Sequence, residues 1–145
     1  MKRKSKEHPF RVVVDANVIL SCLISGNTAQ LIFSPRIELF APEFMLIEIK
    51  RHKGEILKKS KLSDDEFELL FLLIEKHIQI VQKSYFIHLL PKARQLMREH
   101  LKDVPYIALA LFLDCPFWSY EKRFSKLAEV KTLSTSEISE KLRKR

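Results

Sequence analysis

Asp15 closes the apolar run "FRVVVDANV", and Glu48, Asp103 and Glu121 stand at comparable junctions further along the chain. Asp15, Glu48 and Asp103 each border apolar sequence, and Glu121 follows the short segment "PFWSY". Four such groups brought together without a cation would repel one another and hold their protons more tightly than usual. A divalent ion resolves that conflict, and all-oxygen donors suit Mg²⁺ or Mn²⁺, which take one or two protein carboxylates and keep several waters. The chemistry predicted for such a site is phosphoryl hydrolysis, in which the ion eases deprotonation of a water that attacks phosphorus in line.

Every one of these acids also has an ordinary role open to it. Asp15 can end a strand by folding back on local amides, as Asp and Asn do in turns. Asp103 can mark a helix terminus, and Glu121 can face a helix dipole in a first turn capped by Ser119. Glu48 can pair with Arg51 or His52 on its own helix, for only about 0.2–0.5 kcal/mol. Joint placement is what separates the two readings, so the elements that carry the acids matter.

Hydrophobic periodicity predicts alternating strands and helices. Residues 10–14 read as a strand buried on both faces, and "SGNTAQLIF" turns at Gly26 and Asn27 into a helix with Thr28 as N-cap. "IELFA" reads as a second strand, with Pro42 opening a helix towards Lys59. Ser63 and Glu66 form a capping box before an apolar helix that precedes the strand "IQIV". Pro91 opens a helix through about Leu101, and "VPYIALALFLD" is an apolar helix expected against the sheet. "PFWSY" and "VKTLS" read as the last strands, with a short helix at "EKRFSKL" between them. Ser134 and Glu137 box a C-terminal helix. Strands are expected at 10–14, 37–40, 78–81, 116–118 and 130–132. The fold class is therefore α/β, with a central, mainly parallel sheet between layers of helix. Sites in such sheets lie beyond the C-terminal strand ends, which is where the four acids fall.

The 145 residues, 46% hydrophobic and 10% aromatic, fit one domain with a real core. Its expected extent is 10–133, between a basic tail at 1–9 and a basic C-terminal helix or tail at 134–145. The net charge of +8 favours a polyanionic partner, nucleic acid before membrane. The longest apolar run, "YIALALFL", falls far short of the ~20 residues that cross a bilayer, and no apolar signal core follows the N-terminal charges. A cytoplasmic location is expected, with no membrane partner. Cys22 and Cys115 lack CxxC spacing and read as free thiols. With glycine only at positions 26 and 54, neither a P-loop nor GxGxxG is possible. His8, His52, His77, His88 and His100 have no metal-ligand spacing and read as surface or helix-end residues. A GxSxG elbow is absent.

Together, "VVVDANVILSCLI", "APEFMLIEIKRH", "KDVPYIALAL" and "CPFWSYEKRF" resemble the PIN-domain ribonucleases, most of all the VapC-like toxin components of toxin–antitoxin pairs. The likeness runs from Phe10 to Thr132. It implies a three-layer α/β/α fold and an acidic, Mg²⁺- or Mn²⁺-dependent site that cleaves single-stranded RNA. By motif, Asp15, Glu48 and Asp103 match the family's first-strand aspartate, helix glutamate and late-helix aspartate. Asn17 matches the small polar residue that positions the first aspartate, and Ser119 the hydroxyl residue after the fourth strand. The departure is Glu121, where relatives usually carry aspartate in "W-[ST]-x-D-K-x-F". Its extra methylene keeps the charge and changes the reach.

The resemblance thus implies a metal-dependent endoribonuclease acting on single-stranded or structured RNA, with Asp15, Glu48, Asp103 and Glu121 as catalytic and metal-holding acids. A cognate antitoxin and a homodimer are the partners it implies. The alternative is a catalytically weak PIN-like module that binds RNA or a protein. Lys2, Arg3, Lys4, Lys6, Lys122, Arg123, Arg143, Lys144 and Arg145 are the expected RNA-contacting cations.

Overall fold

A computed structural model describes residues 8–98, 100–121, 127 and 129–144. Five strands form one sheet: β1 (Phe10–Val14), β2 (Ile37–Pro42), β3 (Ile78–Val81), β4 (Phe117–Trp118) and β5 (Thr132–Leu133). Their order is β3-β2-β1-β4-β5, and every neighbouring pair is parallel. The α/β fold with a parallel central sheet is the one the alternation predicts. Central β1 pairs on both sides, Val12 with Leu39 of β2 and Val13 with Phe117 of β4, so its valines are closed from water on both faces. That explains an unbroken apolar run where a half-exposed strand would alternate.

Eight α-helices connect and flank these strands among the described residues: α1 (Ala16–Ser25), α2 (Ala29–Ile32), α3 (Phe44–Arg51), α4 (Lys53–Lys59), α5 (Asp64–Lys76), α6 (Leu90–Met97), α7 (Val104–Leu113) and α8 (Thr135–Arg143). Apolar α7 packs on the sheet as expected, with Tyr106, Ile107, Ala108 and Leu109 fully buried. Each large apolar side chain buried there stabilises the fold by roughly 1.5–3 kcal/mol. Both capping boxes form: Ser63 and Glu66 start α5, and Ser134 and Glu137 start α8. Helix α8 buries Ile138 and Leu142 in the same core. Among the described residues no helix is long and apolar enough to cross a membrane. Cys22 is buried and Cys115 half-buried, and both are free.

Several local expectations are corrected. Helix α1 follows β1 after a single residue, where the sequence reading placed no helix; burial of Val18, Ile19, Cys22 and Leu23 carries it, although Val and Ile are weak helix formers. It stops at Gly26, whose φ of 77° is open to glycine at little cost and lets its N–H reach the Cys22 carbonyl. Pro42 ends β2 instead of opening a helix. The single helix expected towards Lys59 breaks at His52, whose N–H turns back to the Ile49 carbonyl, just before Gly54 in the first turn of α4. Thr28 caps nothing with its side chain; its hydroxyl donates to the Val18 carbonyl. Helix α6 ends at Met97, because Arg98 adopts a φ of 53°, and residues Leu101–Asp103 form a separate 3₁₀ turn. The helix expected over 121–127 lies outside the described residues, Glu121 and Leu127 excepted.

Candidate active site

The chain steps from β1 outward to β2 and β3, then returns to the other side of β1 with β4. The strand order reverses between β1 and β4, and the crevice beyond the C-terminal ends of strands at such a point is where open α/β sheets bind ligands. Asp15 and Ser119 are the residues that follow β1 and β4. The Asp15 N–H donates to the Trp118 carbonyl at 3.0 Å, which holds the two strand ends in register.

A cavity of about 300 Å³ opens at this point, lined by Asp15, Asn17, Glu48, Asp103 and Glu121. Four acids distant in sequence therefore share one lining. Asp15 arrives on β1, Glu48 on the second turn of α3, Asp103 on the 3₁₀ turn before α7, and Glu121 just past β4. Asp15 is the most enclosed, at 4% exposure, and burial pushes its carboxyl up to about 6. The hydroxyl of Ser119 opposes that rise by donating to Asp15 Oδ2 at 2.7 Å, while Asp103 adds to it by charge repulsion. The N–H groups of Asn17 and Ala16 lower it slightly, although no regular N-cap bond forms. Exposed Asn17 thus steadies Asp15 through its backbone.

Glu48 and Asp103 are also raised, each chiefly by burial. Glu48 feels Asp15, and Asp103 feels Glu48 and Glu121, so the four acids form one chain of mutual repulsion. Tyr106 donates its hydroxyl to Glu48 Oε1. Burial and the Glu48 charge keep that phenol protonated, so it serves as a fixed donor. Ser119 works twice: besides holding Asp15, its Oγ accepts the Glu121 N–H at 3.0 Å.

His52, His100 and Lys102 complete the rim, and sequence reasoning had not placed them there. Lys102 lowers both Glu48 and Asp103, His52 lowers Glu48, and His100 lowers Asp103. The available signal was adjacency: Lys102 precedes Asp103, and His52 lies one helical turn after Glu48. Tyr106 carried a similar signal, three residues after Asp103. Of the expected RNA-contacting cations, Arg143 and Lys144 both pair with Glu140 on α8. Lys2, Arg3, Lys4, Lys6, Lys122, Arg123 and Arg145 lie outside the described residues.

Among the described residues, no three His, Cys, Asp or Glu side chains form a ready cage for a bare ion. The donor set is nonetheless one of hard oxygens on a polar cavity whose acids resist ionising together. Such a lining suits a hydrated divalent cation, held by one or two carboxylates and by its own waters.

A model of the PIN domain matches residues 13–143. No curated protein matches the chain. Two of the solved structures that share its fold illustrate the match. One, described as a toxin-antitoxin complex from Klebsiella pneumoniae, superposes with a TM-score of 0.65 at 10% identity, covering 86% of this chain and 97% of that one. The other, VapBC2 from Rickettsia felis bound to a DNA fragment from their promoter, gives 0.64 at 9% identity, covering 86% and 98%.

Proposed function

The chain belongs to the PIN-domain family, and on that premise we propose that it is a metal-dependent endoribonuclease that hydrolyses phosphodiester bonds of single-stranded or structured RNA. The observation that carries this reading is the shared lining of Asp15, Glu48, Asp103 and Glu121 at the point where the strand order reverses. Mg²⁺ or Mn²⁺, when bound, supplies neutralising charge on the phosphate and a lowered pKa for water.

The chain's own residues supply the rest. Asp15, Glu48 and Asp103 hold the cation, and Glu121 completes the acidic wall. Ser119 fixes the orientation of Asp15, and Tyr106 that of Glu48. Lys102 sits on the rim, where positive charge meets phosphate, with His52 and His100 beside it. The basic ends, Lys2, Arg3, Lys4, Lys6, Arg143, Lys144 and Arg145, together with Lys122 and Arg123, extend the electrostatic attraction for RNA.

One structural neighbour is described as a toxin–antitoxin complex and another as VapBC2 bound to a DNA fragment from their promoter, which supports a toxin role with a cognate antitoxin as partner; a cytoplasmic location and a second copy of the chain complete the proposed reading. A neighbouring small gene for a DNA-binding antitoxin would support that role. A second reading, a catalytically weak module that binds RNA or protein, is favoured by one observation, the longer Glu121 in place of the aspartate its motif usually carries.

One experiment separates the two. Purified protein is expected to cleave single-stranded RNA with Mg²⁺ or Mn²⁺, to lose activity with a chelator, and to lose it again as Asp15→Asn while still binding RNA. RNA binding by the wild type without metal-dependent cleavage on varied substrates selects the binding module instead.

A further inference from the structure

A second cavity, of about 380 Å³, opens beside the acidic one and shares Leu101 with it. Two more links join them: Ile47 and Val104 line the second cavity, while their chain neighbours Glu48 and Asp103 line the first. Its wall is largely apolar, with Pro42, Phe44 and Leu90 beside those residues. Ile47 at 49% and Leu101 at 56% exposure leave it open to water. Lys83, in the turn after β3, and Arg94, on α6, also line it, with Glu43 the acid present. Among the described residues neither cation has an ion-pair partner.

Resting on the nuclease reading above, we propose that this cavity is a flanking-nucleotide subsite for single-stranded RNA, with a base against the apolar wall and its phosphate between Lys83 and Arg94. A base is apolar on its faces and charged only through its backbone, which is the division this wall presents. The volume lies within the roughly 300–1,000 Å³ usual for small-ligand sites. Phe44 offers an aromatic surface of the kind on which unstacked bases settle whatever their sequence. Two unpaired cations favour a polyanion over an apolar protein segment, and the net charge of +8 acts in the same direction. A strand whose scissile phosphate faces the acids therefore continues into the neighbouring cavity. The same ring meets Tyr106 edge-on at 6.4 Å, so a base seated there packs one side chain away from the phenol that holds Glu48.

The test is binding of a labelled single-stranded oligoribonucleotide to the full chain over a range of salt, with Asp15→Asn as parent so that nothing is cut. Adding Lys83→Ala and Arg94→Ala is expected to weaken binding about tenfold and to flatten the salt slope by about 0.7, the share of the one phosphate the two cations hold on a single strand. A control pair, Lys58→Ala and Lys76→Ala, removes the same charge away from the cavity and is expected to leave the slope in place. Ile47→Trp, at an exposed position, narrows the cavity and is expected to lower affinity without altering the slope. Unchanged affinity and slope in the Lys83 and Arg94 variant overturn the subsite while leaving the nuclease reading intact. The same holds if that variant binds RNA normally but loses a protein partner, which makes the cavity a protein-docking site. A parent that binds no RNA, with a wild type that cuts none, removes the functional reading and the subsite with it.

Discussion

Ser119 and Asp15, 104 positions apart in the chain, are joined by a buried hydrogen bond of 2.7 Å from the serine hydroxyl to Asp15 Oδ2. The bond exists because β1 and β4 lie side by side and end together, so the residue after each strand faces the other. Ser119 Oγ also accepts the Glu121 N–H, which ties two of the four acids to one hydroxyl. Ser119→Ala removes a donor that lowers the Asp15 pKa, so Asp15 is expected to titrate still higher. The predicted outcome is a loss of about 1–3 kcal/mol of stability, from groups left unsatisfied in a buried site. The acidic limb of the cleavage profile should move to higher pH. An unshifted profile with an unchanged melting temperature would show that the bond does not position Asp15.

The raised carboxyls have a consequence for stability. Asp15 keeps its proton up to about pH 6 in the folded chain, whereas its ordinary value is 3.8. Between those values the folded state binds more protons than the unfolded one, so stability falls as pH rises through the window and stays lower above it. For this group the difference is of the order of 2–3 kcal/mol. Metal-free protein in chelator should therefore be stabilised by Asp15→Asn at pH 7 and little changed by it at pH 4. Added Mg²⁺ or Mn²⁺ should raise the melting temperature of the wild type at pH 7 more than that of the variant, by mass action on the folded state. Equal metal response in both proteins would take Asp15 out of the cation site.

The contrast between Asp15 and His52 marks how far the residues alone could lead. Asp15 was legible because a carboxylate directly after a doubly buried strand has few structural uses, and a general rule places sites at that strand end. The boxes at Ser63 and Ser134 were legible for a different reason: both bonds of a box lie within three residues, so spacing encodes them. His52 joins the rim because it follows Glu48 by one helical turn at the end of α3, and spacing alone does not tell that face of the helix from a solvated one. Helix α1 escaped notice for a related reason, since its Val18 and Ile19 read as strand formers until tertiary burial overrides them. Strand order is set by contacts such as Val13 with Phe117, which no local pattern carries.

Tyr106 supports a prediction about Glu48. Its side chain is fully buried, lies against Phe44 and Phe117 with ring centroids at 6.4 and 5.8 Å, and donates to Glu48. Tyr106→Phe keeps the ring packing and deletes the donor alone. Hydrogen bonds to charged groups are worth about 1.5–3 kcal/mol, so a loss of that order is expected in urea unfolding near neutral pH. Because the bond lowers the Glu48 pKa, its removal should raise it and weaken Mg²⁺ or Mn²⁺ binding at pH 6 more than at pH 8. Metal affinity that is equally reduced at both pH values would point to a packing defect and not to Glu48 ionisation.

Glu121 is the position where sequence and motif disagree, and its surroundings narrow what the disagreement can mean. Its main chain is fixed by the Ser119 hydroxyl, and it lines the same cavity as the other acids. Its charge reaches Asp103, whose pKa it raises behind the larger effects of burial and Glu48. What differs from aspartate is the reach of one methylene from an anchored backbone. If the carboxylate acts on the cation, Glu121→Asp should change the cleavage rate upward and Glu121→Gln downward, each by about tenfold, the lower end of what outer groups around a metal contribute. The two variants also separate charge from reach. Gln keeps the length and drops the charge, so it should lower the Asp103 pKa and leave RNA binding equal or tighter. Asp keeps the charge and shortens the arm, so any rate change it causes is geometric. Cleavage measured across Mg²⁺ titrations distinguishes a change in metal affinity from one in turnover at saturation. Identical curves for Glu, Asp and Gln would place the side chain outside the metal chemistry and leave it the ordinary role of an acid facing a helix dipole.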